Sequence, residues 1–85
     1  MNRLTLKALL LSVITELKFG QPLAPNDKAA KKEYKRQVGL RPGATNKEVL
    51  ACLQYTYNDN GLKDDFDGVV KRLGAEKFLP SQPAT

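Results

Sequence analysis

Thr45-Asn46-Lys47-Glu48-Val49-Leu50-Ala51-Cys52-Leu53 decides the fold. Thr45 and Glu48 have the spacing of a capping box, in which the threonine accepts from the third helical N–H and the glutamate reaches back. Val49, Leu50, Leu53 and Tyr57 follow at helical spacing, with Cys52 and Thr56 at the edge of that face. A helix therefore starts after Thr45. Asn58-Asp59-Asn60-Gly61 ends it, because Asn and Gly tolerate the left-handed backbone.

Downstream, Leu62, Phe66, Val69, Val70 and Leu73 share one face of a helix over Leu62–Leu73. Asp64, Asp65 and Asp67 sit early and Lys71 and Arg72 late, which suits the helix dipole. Gly74 is the expected stop, and Phe78 and Leu79 are expected to dock back on the core. Ser81–Thr85 reads as a frayed tail, so the domain is expected over residues 1–80.

Upstream, Leu6, Leu9, Leu10, Val13, Ile14 and Leu17 fall within an arc of roughly 140° at ~100° per residue. Ser12 lies outside that arc. Leu4–Lys18 is thus predicted as a helix, with Thr5 as cap and Gly20 as stop. Leu11 and Phe19 lie off the stripe, so homodimerisation through them is a further expectation. Glu16 and Lys18 directly follow the apolar run, and no small-x-small cleavage site appears. This favours a core helix over a signal peptide, and the run is too short to span a bilayer. Pro22 and Pro25 imply a loop. Asn26 is then the expected cap of a helix over Asp27–Val38, with Ala30, Tyr34 and Val38 as a narrow apolar seam. No segment alternates like a strand. The expected fold class is all-α, a single small bundle of about four short helices.

Composition narrows the chemistry. The 85 residues contain one cysteine and no histidine. That removes histidine general-base catalysis, Ser-His and Cys-His units, and an internal disulfide. No cofactor and no catalytic residue is expected. Asn58–Asp67 has the outline of a calcium loop, but Thr56 stands where the first Asp should be and Asp67 replaces the closing Glu, so no metal is expected.

The net charge of +5 is unevenly placed. Residues 1–41 carry nine positive and three negative charges, or +6; residues 42–85 carry five and six, or −1. Lys28, Lys31, Lys32, Lys35 and Arg36 share the outer arc of the second helix, and Arg41 extends it. Such a face suits phosphates, since each contact releases counterions. Lysines outnumber arginines, which favours phosphate over base contact. The last two helices fit a helix-turn-helix outline, but the aspartates of the fourth would repel DNA. The expectation is a small, non-enzymatic, cytoplasmic nucleic-acid-binding or regulatory protein. Its proposed contact residues are those six cations, its partner is DNA or RNA, and no membrane is involved. The alternative is a protein-interaction module, such as an accessory subunit or inhibitor, that meets an acidic protein surface.

Overall fold

The computed structural model describes residues 2–21 and 25–79, without the side chains of 25–27. Among these residues the chain forms α1 (Arg3–Phe19), α2 (Pro25–Val38), α3 (Asn46–Asp59), α4 (Lys63–Arg72) and a 3₁₀ turn, Glu76–Phe78, with no strand. The fold is all-α. The expected tail, Ser81–Thr85, and the expected cap, Asn26, lie outside the described residues and side chains.

The α3 capping box forms as its spacing predicts. Thr45 Oγ1 accepts from the Glu48 N–H at 3.3 Å, and Glu48 Oε2 accepts from the Thr45 N–H at 2.9 Å. The start of α1 differs from expectation. Asn2 is the cap: its Oδ1 accepts both the Thr5 N–H and the Thr5 hydroxyl at 2.9 Å. Asn is an equally good capping residue, and starting at Arg3 adds helical bonds before Leu4. The second helix begins at Pro25 rather than Asp27. Proline is tolerated in the first turn, where its missing N–H has no helical acceptor anyway.

Helix ends set the path between elements. After α2, Gly39 adopts φ +81° and the Leu40 N–H returns to the Lys35 carbonyl at 2.8 Å. After α3, Gly61 adopts φ +70° and the Leu62 N–H returns to the Tyr57 carbonyl at 2.7 Å. This six-to-one bond requires a left-handed residue, which glycine adopts without steric cost. Asn60 stays at φ −94°, so Gly61 alone makes that turn. Each turn also brings a leucine, Leu40 or Leu62, against the core.

Leu6, Leu9, Leu10, Val13 and Ile14 of α1 meet Val49, Leu50, Leu53 and Tyr57 of α3 in one cluster. Phe66, Val69 and Val70 add α4, and Tyr34 is the buried anchor of α2. The Tyr57 and Phe66 rings pack at 5.4 Å between centroids, tilted by 56°. Ala75 closes the core, with Phe78 and Leu79 packed partly against it, so the C-terminal segment docks as expected. Ser12 is buried, contrary to its expected place outside the apolar arc. Val38 stays 37% exposed and leaves the expected seam. Leu11 packs against its own core, whereas Phe19 is 69% exposed. Of the pair named for dimerisation, Leu11 is thus partly buried and Phe19 exposed.

Candidate functional site

The site grows from how α2 is seated. Tyr34 is buried, and its hydroxyl lies 2.8 Å from Thr56 Oγ1 on α3. Thr56 already gives its proton to the Cys52 carbonyl at 3.0 Å, so Tyr34 is the donor in this pair. Burial pushes the Tyr34 phenol upward from its ordinary pKa. One turn earlier, the Lys31 ammonium forms an ion pair with Glu16 of α1 and donates to Asn46 Oδ1 of α3 at 2.8 Å. Only 16% of the Lys31 side chain and 14% of the Glu16 side chain are exposed. Lys31 therefore joins three helices instead of sharing the outer arc on which the sequence places it. At 100° per residue, its position one turn before Tyr34 swings it toward the α1–α3 junction.

The remaining cations separate into a cluster and an outlier. Lys32, Lys35, Arg36 and Arg41 line a single open groove of about 640 Å³. Ala29, Gly39, Leu40 and Pro42 supply its uncharged lining, and Glu33 is its one carboxylate. The lining thus carries four positive charges and one negative, a net of three. Lys28 is exposed on α2 but does not line the groove.

Internal partners hold three of these four cations. Lys35 Nζ donates to the Pro42 carbonyl at 3.1 Å, which ties the last turn of α2 to the α2–α3 turn. Arg36 clasps Glu33 with two nitrogens, Nε reaching Oε2 at 3.1 Å. The Arg36 guanidinium, helped by the Gln37 amide, holds the Glu33 carboxyl down at a pKa of about 2, against an ordinary 4.5. Glu33 in return raises the Arg36 pKa. Arg41 Nη2 reaches both oxygens of Glu48, at 3.0 and 3.3 Å. Glu48 thereby serves the α3 cap and Arg41 together. Arg36 and Arg41 remain about 70% exposed despite these bonds (72% and 69%).

The helix arc and its Arg41 extension drew attention to these four cations but gave no sign of most of their partners. The i,i+3 spacing of Glu33 and Arg36 was the available signal for one pair. Nothing local linked Lys31 to Glu16, fifteen residues away. Elsewhere the acidic start of α4 is matched by cations, with Asp65 paired to Arg3 and Asp67 to Lys63 at 2.5 Å. The Lys63 pKa is raised by that hydrogen bond. Among the described residues, no group of three or more His, Cys, Asp or Glu side chains could hold a metal ion. Cys52 is half-buried on α3, and Tyr55 is 71% exposed. No helix among the described residues is long and apolar enough to cross a membrane.

The fold and this groove define a small all-α domain with a cation-lined surface cleft. No protein-family model, curated protein or solved structure matches the chain.

Proposed function

We propose that this is a small, non-enzymatic, cytoplasmic nucleic-acid-binding or regulatory protein, whose α2 face and α2–α3 turn contact phosphates. One observation carries the reading: Lys32, Lys35, Arg36 and Arg41 line the same groove with a net of three positive charges. The Glu33 and Glu48 carboxylates are part-exposed and Lys35 holds only a carbonyl, so these cations stay open to a phosphate arriving from solvent. Preorganised cations lose less side-chain entropy on binding than free ones. Lys28 extends the basic face along α2, and Lys31 contributes to the fold.

Salt dependence tests the reading. Four neutralised phosphates correspond to a log–log slope of affinity against salt of about −3 to −4. Affinity for DNA or RNA should therefore fall on the order of 100-fold between about 50 and 200 mM salt. Lys32→Glu with Arg36→Glu should abolish the complex while leaving the helical circular dichroism unchanged. The absence of a complex at low salt, or full binding by this double variant, would overturn the reading. Lys31 is left out of the design because a glutamate there would face Glu16.

The apolar lining from Ala29, Leu40 and Pro42 favours a second reading, in which the groove receives an acidic segment of a protein partner. Charge complementarity would then set the on-rate. Purification from lysate with and without nuclease separates the two: retention of one protein after nuclease supports the second reading, and loss supports the first.

A further inference from the structure

The groove has two kinds of lining, and a duplex backbone uses only one. Its cations suit phosphates, but its apolar lining residues suit something that a phosphate backbone does not offer. A double helix presents phosphate and sugar outward and keeps its base faces stacked inside. Laid across this groove, a duplex would leave the hollow beside Ala29, Leu40 and Pro42 unfilled. A single strand has bases free to unstack, each a flat apolar body flanked by phosphates. The volume of about 640 Å³ lies within the range that holds a compact organic ligand, about 300–1,000 Å³.

We infer that the groove seats a short unstacked stretch of a single strand, its bases against Ala29 at one end and Leu40 and Pro42 at the other, and its phosphates on Lys32, Lys35, Arg36 and Arg41. This rests on the phosphate-binding reading and narrows it to one form of nucleic acid. The Arg36 and Arg41 guanidiniums line the groove and stay exposed, so their planar forks are open to the phosphates of the strand. Both planes are held in place by carboxylates, Glu33 and Glu48. Ala29 is the position to perturb, since it is an exposed helical residue that lines the groove.

The test measures fluorescence anisotropy with labelled oligonucleotides of about a dozen residues, as a single strand and as the matching duplex, at two salt concentrations. Free mononucleotide and an acidic amphipathic peptide serve as competitors. The expected result is a single strand bound at least tenfold more tightly than the duplex. Ala29→Leu, which adds bulk at one end of the groove without changing charge, should lower that ratio severalfold. Ala29→Glu should lower single-strand affinity further, and circular dichroism checks the folding of both. Equal affinity for both forms, or an unchanged ratio in Ala29→Leu, overturns the inference while leaving phosphate binding intact. Mononucleotide competing as well as the strand, or peptide displacing the strand more effectively than unlabelled strand does, also overturns it. Absence of salt-sensitive binding to either form overturns the phosphate-binding reading itself.

Discussion

Two tyrosines with the same burial have opposite hydrogen-bond status. Tyr34 donates to Thr56, whereas the Tyr57 hydroxyl is buried without a partner. Tyr34→Phe should cost about 1 kcal/mol in urea unfolding, the usual value of one hydrogen bond. Tyr57→Phe should be neutral or stabilise by up to about 1 kcal/mol, because it removes an unpaid desolvation. Burial, with the Asp65 carboxylate adding to it, pushes the Tyr57 phenol up to about 12 from 10.0. The fold therefore loses nothing to its ionisation below pH 10 and is progressively destabilised as pH rises toward 12. Alkaline unfolding followed by circular dichroism should move to higher pH in Tyr57→Phe. Glu33 has the reverse sign. Its folded pKa is depressed, so its contribution exists above about 4.5 and fades as pH falls toward 2. A carboxyl titration by nuclear magnetic resonance should find its midpoint near 2, and Arg36→Ala should return it toward 4.5.

At the scale of elements, Tyr34 is the one deep anchor among the described side chains of α2, and other contacts must set the helix's position. The Lys31–Glu16–Asn46 clasp does this from one side, and the Gly39 turn from the other. Lys31→Ala would leave a largely buried carboxylate unpaired and should cost about 3 kcal/mol. Lys32→Ala, on the same helix but facing solvent, should change stability by no more than about 0.5 kcal/mol. Chemical denaturation of the two variants makes the comparison; equal effects would remove the clasp from the account. Gly39→Ala forces a side chain into the left-handed region and should cost about 1–2 kcal/mol. It would also displace Leu40 and Arg41 from the groove, so anion affinity should fall with it. The helix signals were local and readable: the Thr45–Glu48 box, the apolar spacing and the glycine stops. The choice of Asn2 over Thr5 as cap was not, because both residues can cap and the geometry of the first turn decides between them.

Across the whole molecule, α1 and α3 form the central pair, with α2 against α1 and α4 against α3. Leu10 is fully buried between them. Leu10→Ala should cost about 3 kcal/mol, within the range for large-to-small core changes. In a domain of this size that corresponds to a melting temperature lower by roughly 12–24 °C. The basic surface behaves differently, since removing Lys32 or Arg36 should affect binding much more than melting.

The chain's local chemistry determined the all-α class, the stops of its helices and the uneven placement of its charge. Each rests on neighbours within a few residues: a cap and its third helical N–H, an apolar position and the one a turn away, a glycine beside a helix end. Tertiary packing decided what the charges do. It drew Lys31 inward to Glu16 and Asn46, left Lys28 outside the groove, and gathered Lys32, Lys35, Arg36 and Arg41 around an apolar hollow. A helix wheel fixes only the angle of a side chain about its own axis. Whether that side chain meets water, a carboxylate or a cavity depends on where the neighbouring helices lie, and that is settled only when the core forms.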